Sequence, residues 1–152
     1  MGLDMYLRAT TYVSNYDFRP EDKPVNKAIK EALGLSHLDA DDASVEVAIT
    51  VGYWRKANQI HKWFVDSCQD GVDECQKAYV SREKLEELLK VCKETQETKN
   101  AELLPPQSGF FFGSTEIDEW YWTDIEETIK MLEGLLNDES LKEYDFEYQS
   151  SW

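Results

Sequence analysis

The residues best suited to binding a charged ligand lie in one basic and aromatic stretch, YWRKANQIHKWF, at residues 53–64. This stretch belongs to the longest interval without an acidic residue, 47–65, which carries Arg55, Lys56 and Lys62. The whole chain has 31 acidic and 16 basic residues and a formal net charge of −15. Arginine and lysine neutralise phosphate, and tryptophan or tyrosine stacks on a nucleobase. Cations and aromatics together in so acidic a chain therefore indicate a site for a small anionic, nucleotide-like ligand.

At helical spacing the stretch divides into two neighbouring faces. One face is apolar and predicts core packing; it comprises Tyr53, Ala57, Ile60 and Phe64. The other combines a stacking ring, an amide and cations, and is the predicted ligand face; it comprises Trp54, Arg55, Asn58, His61 and Lys62. A purely structural role for the same side chains stays open, with the tryptophans in the core and Arg55 paired to acids of the C-terminal third.

A second candidate segment is QSGFFFGSTEIDEWYW, residues 107–122. Gly109 and Gly113 flank three phenylalanines and permit a tight loop with close backbone approach. The Ser, Thr and Asp residues before the next helix favour capping of its N-terminus over anion binding there. The surplus of aromatics indicates a groove or a partner surface, a homodimer included. This segment adds to the predicted ligand-binding set Phe111, Ser114, Thr115 and Tyr121.

Signals for catalysis or metal binding are weak. The chain has no glycine loop of the Walker or dinucleotide type, and its two histidines are His37 and His61. Cys68 and Cys75 do not form a CxxC pair. We therefore predict no catalytic residue, no metal ligand and no cofactor. A zinc site of both cysteines with His61, and a hydrolase that uses His61 as acid or base on a nucleotide signal, are the weaker alternatives.

The candidate residues must be positioned by helices and strands, and the sequence pattern predicts an α+β protein. It is expected to be mainly helical, with about four helices and a few short strands. Periodicity predicts strands at 3–13 and 77–80, helices at 25–33, 53–67, 82–97 and 118–136, and a strand or helix lead-in at 45–52. We expect a single domain over 1–152, a variable insert region at 14–50, and an acidic tail at 138–152 that is an edge strand or mobile.

Charge and composition narrow the classes of function and partner. An acidic chain is repelled by nucleic-acid phosphates and anionic lipid, so we expect neither direct nucleic-acid binding nor membrane binding. No stretch approaches the length of an apolar membrane span, and the first residues lack the features of a signal peptide. Three cysteines, an odd number, are consistent with reduced thiols in a cytoplasm.

Five blocks of sequence together resemble a family of small proteins encoded by tailed phages and prophages. They are MGLDMYL, YWRKANQIHKWFV, QDGVDEC, YVSREKLEELL and LLPPQSGFFFGSTEIDEWYW, so the resemblance covers residues 1–13 and most of 51–136. It implies an accessory protein acting in the cytoplasm of a bacterial host, where counter-defence is a common role, and it implies no mechanism.

Two functions follow as expectations. The first is a binding protein that sequesters a nucleotide-like immune signal and keeps it from its effector, which requires a pocket with cations but no catalytic group. The second is an acidic inhibitor that mimics DNA and occupies the groove of a host defence protein, such as a CRISPR or restriction nuclease. Residues 99–152 favour the second, because they hold 13 acidic residues and 3 basic ones.

Overall fold

The computed structural model describes residues 2–152 and confirms the α+β prediction, with four helices and a four-stranded antiparallel sheet. The elements in chain order are β1 (Asp4–Val13), α1 (Lys23–Ala32), β2 (Val45–Arg55), α2 (Asn58–Cys68), β3 (Ala78–Val80), α3 (Arg82–Thr98), α4 (Glu119–Leu136) and β4 (Asp145–Ser151), with short 3-10 turns at Ala101–Leu103 and Glu139–Leu141. The strand order in the sheet is β2-β1-β4-β3.

The chain divides into two compact units. One unit is formed by the residues up to Ala9 together with Thr50–Trp152, and the other by Thr10–Ile49. The strands β1 and β2 each contribute residues to both units. Sequence variability at 14–50 stays a prediction.

The core of the first unit is built on the alternation of β1. Side chains of a strand point to opposite faces in turn, and every second residue from Leu3 to Ala9 is buried. Three helices cover this face with residues at helical spacing. The buried positions are Ile60 and Phe64 of α2, Leu85, Leu88 and Cys92 of α3, and Ile125 and Leu132 of α4. The Phe64 and Tyr148 rings stack with their centroids 4.0 Å apart, which joins α2 to β4.

Side-chain caps fix the starts of the two long helices. Ser81 Oγ accepts a hydrogen bond from the Lys84 amide at the start of α3. Asp118 Oδ1 accepts hydrogen bonds from the amides of Trp120 and Tyr121 at the start of α4. Such caps satisfy amides that have no partner within the helix. The start of α4 is therefore capped by a side chain, as the sequence predicts.

The second unit is organised by α1, which begins with a proline in its first turn. The buried Asn26 side chain donates through Nδ2 to the carbonyls of Val13 and Ala43, 3.2 and 3.1 Å away. Residues 33–42 after this helix are exposed.

The structure corrects two predicted elements. The helix predicted at 53–67 begins at Asn58, because Tyr53 to Arg55 end strand β2 with alternating exposed and buried side chains. Lys56 adopts a left-handed φ of 59° that ends the strand before the helix. The tail predicted at 138–152 to be an edge strand or mobile contains β4, which is an inner strand between β1 and β3. Its buried face, Phe146, Tyr148 and Ser150, packs inward.

Candidate functional site

A pocket of about 270 Å³ lies where β2 turns into α2, beside the start of α4. We call it the α2–α4 pocket. It combines cationic, amide, carboxyl and aromatic groups, from Arg55, Lys56, Asn58, Gln59, Pro106, Gly113, Ser114, Glu116, Asp118, Trp120, Tyr121 and Asp124. Four residues of the predicted ligand-binding set are among them: Arg55, Asn58, Ser114 and Tyr121.

Two cations stand at the turn between β2 and α2. Arg55 and Lys56 are exposed, and neither forms an ion pair with any residue in the described part of the chain. Gly113 lies against the Lys56 side chain: its φ is +84°, and a Cβ there would be 3.3 Å from the Lys56 methylenes. The left-handed backbone favours glycine at this position, and a Cβ would crowd the Lys56 methylenes. The loop thus packs on the stem of Lys56 and leaves its ammonium available to an anion.

The wall of the pocket that α4 forms carries a carboxyl group in an unusual environment, that of Asp124. Burial raises the pKa of Asp124 to about 6, with smaller contributions from Glu127 and Asp118, while a hydrogen bond from Gln59 opposes the shift. Gln59 is itself buried, and its Nε2 donates to Asp124 Oδ2 at 3.4 Å and to the Tyr121 carbonyl at 3.3 Å. The oxygen atoms of this wall can accept hydrogen bonds from N–H or O–H groups.

The two aromatic residues of the pocket differ in their availability. The side chain of Trp120 is 70% exposed and offers an indole face at the pocket. Tyr121 is buried, and its hydroxyl donates to the Leu104 carbonyl at 2.8 Å. The indole of Trp120 is therefore exposed for stacking, while Tyr121 forms a buried part of the pocket wall.

The side-chain amide of Asn58 forms hydrogen bonds with the backbone of the 107–114 loop. Its Nδ2 donates to the carbonyls of Phe112 and Ser114, and its Oδ1 accepts from the Gln107 amide, at 3.0, 2.9 and 3.0 Å. The side chain is buried. Asn58 therefore shapes the pocket by fixing the 107–114 backbone.

Trp54 and His61, both predicted to face a ligand, are buried in the core. Trp54 Nε1 donates to Thr128 Oγ1 at 2.8 Å. His61 is fully buried, with Nδ1 2.6 Å from the Tyr148 hydroxyl and Nε2 2.8 Å from Asp73 Oδ2. The predicted ligand face requires a helix that begins at Tyr53. Because Tyr53 to Arg55 instead end strand β2, successive side chains point to opposite sides, and Trp54 is buried while Arg55 is exposed.

Three of the remaining predicted residues lie outside the α2–α4 pocket. Lys62 forms an ion pair with Asp66 one turn along α2, at 2.5 Å. Phe111 is half-buried, with its ring perpendicular to that of the exposed Phe110. Thr115 is exposed. Ser114, although in the pocket, has its hydroxyl engaged by the Glu116 amide.

Four lining residues of the pocket are outside the predicted ligand-binding set: Lys56, Gln59, Trp120 and Asp124. Lys56 and Trp120 carried a usable signal, since one lies in the basic stretch and the other in the aromatic run. Gln59 and Asp124 meet only through the packing of α2 against α4, which is a tertiary contact that no local pattern encodes.

Within residues 2–152, no three histidine, cysteine or acidic side chains cluster closely enough to hold a metal ion. Cys68, Cys75 and Cys92 are free thiols. No helix in the same range has both the length and the apolar character needed to cross a membrane. Comparison of the chain with protein-family models, with curated proteins and with solved structures returns no match, so the resemblance to tailed-phage proteins stays a prediction.

Proposed function

We propose that the protein binds and sequesters a small nucleotide-like molecule in the α2–α4 pocket. The observation that carries this proposal is the pair of unpaired cations, Arg55 and Lys56, beside the exposed indole of Trp120. The resemblance to phage proteins supplies the setting: an accessory counter-defence protein in the cytoplasm of a bacterial host, which removes an immune signal from its effector.

The two ends of the pocket suit the two ends of a nucleotide. A phosphate would lie between the Arg55 guanidinium and the Lys56 ammonium, where charge-assisted hydrogen bonds are strongest. A base would stack on Trp120, and its N–H groups or the ribose hydroxyls would donate to Asp124. The carboxyl groups of this wall repel a second anion, which favours a ligand with its charge at one end only.

Isothermal titration calorimetry with a panel of mono-, di- and cyclic nucleotides tests the proposal. We expect saturable binding that Arg55→Gln weakens about tenfold or more, because one charge-assisted hydrogen-bond partner is lost. Trp120→Ala should cost about 1–3 kcal/mol of binding free energy by removing the stacked ring. Lys142→Gln is the matched control, since it removes an exposed cation that lies outside the pocket.

Absence of heat with every member of the panel, together with no small molecule released on denaturing the purified protein, would overturn the proposal. Recovery of the ligand as a hydrolysis product would point instead to the weaker alternative, an enzyme. The environment of His61 favours binding without turnover, because both of its ring nitrogens already hydrogen-bond within the protein.

Acidic inhibition of a host nuclease is the second candidate. Residues 99–152 hold 13 acidic residues against 3 basic ones, and helix α4 contributes the exposed Glu119, Glu126 and Glu127. Such a surface complements a nucleic-acid groove. Charge reversal at Glu126, Glu127, Glu133 and Glu139 should then abolish salt-sensitive capture of the nuclease while leaving nucleotide binding unchanged.

A further inference from the structure

A second cavity, of about 610 Å³, lies wholly within the Thr10–Ile49 unit, beside helix α1. We call it the α1 cavity. Three lysines line it, Lys23, Lys27 and Lys30, against two acidic residues, Glu31 and Asp39. An excess of positive charge around a cavity is unusual in a chain whose net charge is −15.

Lys30 distinguishes this cavity from a solvated crevice. The residue is 8% exposed, and its Nζ is buried without any hydrogen-bond partner in the described chain. The other two lysines have acidic partners, Asp17 for Lys23 and Glu31 for Lys27. Burying an ammonium group without a partner is strongly unfavourable. The site is therefore electrostatically incomplete as it stands.

A second buried group in the same cavity also lacks a partner. Asn26 lies one turn before Lys30 on α1 and lines the cavity. Its Nδ2 is engaged by two carbonyls, while its Oδ1 is buried without a donor. Because residues four apart lie on one face of a helix, the unpaired cation and the unpaired acceptor belong to neighbouring side chains that line the same cavity.

We propose that the α1 cavity binds a phosphate monoester of a small hydroxylated molecule. The phosphate neutralises Lys30, with Lys23 and Lys27 adding to the positive field. A hydroxyl on the neighbouring carbon donates to Asn26 Oδ1. The rings of Pro20 and Pro24, which also line the cavity, supply apolar surface for the carbon skeleton. This site is distinct from the α2–α4 pocket, and its ligand needs no aromatic ring.

Calorimetry on the full chain with glycerol 3-phosphate, inorganic phosphate and glycerol tests the proposal, at constant ionic strength. We expect saturable binding of glycerol 3-phosphate, weaker binding of inorganic phosphate and none of glycerol. Lys30→Met should weaken binding of the ester about tenfold or more, and Lys30→Arg should restore most of it. Lys27→Met, at the exposed side of α1, should weaken it about threefold and carries little risk to folding.

Thermal unfolding gives a readout that a structural role for Lys30 would not produce. Without ester, Lys30→Met should unfold at a temperature no lower than the natural chain, because an unpaired buried amine is replaced by an apolar group of similar length. The ester should then stabilise the natural chain and Arg55→Gln equally, and leave Lys30→Met unchanged.

Failure to bind either phosphate, or equal binding by the natural chain and Lys30→Met, would overturn the site. Equal affinity for inorganic phosphate and the ester would overturn the role given to Asn26. Because Arg55→Gln tests the α2–α4 pocket alone, neither result affects the proposed sequestering function.

Discussion

His61 is a residue of a type that often acts in catalysis, but here it is buried in the core. A carboxylate only accepts hydrogen bonds, so we assign His61 Nε2 as the donor to Asp73 and Nδ1 as the acceptor from the Tyr148 hydroxyl. Burial, followed by the nearby Asp73 charge, raises the pKa of Tyr148 well above its usual value, which keeps the hydroxyl protonated. Asp73 also accepts from Trp152 Nε1 at 3.0 Å. The network thus connects α2, the loop after it and the end of the chain.

Removing the Tyr148 hydroxyl should destabilise the fold without creating a large cavity. In Tyr148→Phe, the buried Nδ1 of His61 loses its donor, and we expect the free energy of unfolding to fall by about 1–3 kcal/mol. Urea denaturation measures this change, and Tyr79→Phe is the control because Tyr79 is 66% exposed. Equal stability of Tyr148→Phe and the natural chain would contradict this assignment of the network.

Asp124 should make stability depend on pH. Its folded pKa, about 6, lies above the ordinary aspartate value of 3.8, so the folded state holds the proton more tightly. Stability therefore falls as pH rises from about 4 to 6 and then levels off. With allowance for the group's partial exposure to solvent, we expect a loss of about 1 kcal/mol.

The variant Asp124→Asn should remove this dependence while keeping an oxygen for Gln59. The difference in unfolding free energy between Asp124→Asn and the natural chain should grow in favour of the variant between about pH 4 and pH 6. Urea denaturation across this range measures it, with Glu119→Gln as an exposed control on the same helix. A difference that is constant with pH would refute the raised pKa.

At the scale of elements, periodicity predicts what lies within an element and fails at the junctions. The stripe of Leu85, Leu88 and Cys92 and the cap at Ser81 are local signals, and helix α3 is as predicted. The helix predicted from Tyr53 is wrong in its first turn. The apolar residues there recur every three or four positions, but this spacing also occurs where β2 ends and α2 begins. The break at Lys56 depends on its left-handed backbone and on a hydrogen bond from its amide to the Leu3 carbonyl. That hydrogen bond is a long-range contact and leaves no local pattern in the sequence.

Asn58 makes three of the hydrogen bonds that hold the 107–114 loop, beside one from the Leu3 amide to the Phe111 carbonyl. Asn58→Ala removes three hydrogen bonds between α2 and this loop. We expect the free energy of unfolding to fall by about 2–3 kcal/mol and local opening of the loop to increase. Chymotrypsin should then cleave faster at Phe110, which is 94% exposed. Asn137→Ala, at an exposed position after α4, is the control, and equal cleavage of the two variants would contradict this role of Asn58.

At the scale of the whole molecule, the surplus of negative charge sets the behaviour in salt. With 31 acidic and 16 basic residues and a net charge of −15, no one-to-one arrangement of ion pairs removes any of the surplus negative charge. The ion pairs of α3 and α4, such as Lys93–Glu133 and Lys130–Glu126, involve exposed side chains. Each therefore contributes little to the free energy of unfolding. Repulsion among the remaining acids should therefore outweigh attraction across the molecule.

We accordingly expect the unfolding temperature to rise as sodium chloride increases from about 0.02 to 0.5 M, because salt screens repulsion between exposed charges. Differential scanning calorimetry measures the rise, and choline chloride should reproduce it, since screening does not depend on the identity of the cation. Lys142→Glu adds to the negative charge and should steepen the dependence, whereas Glu139→Lys should reduce it. If the unfolding temperature instead fell with salt, attraction within ion pairs would outweigh repulsion among the acidic residues. More of the acidic side chains would then lie close to basic ones than the composition implies.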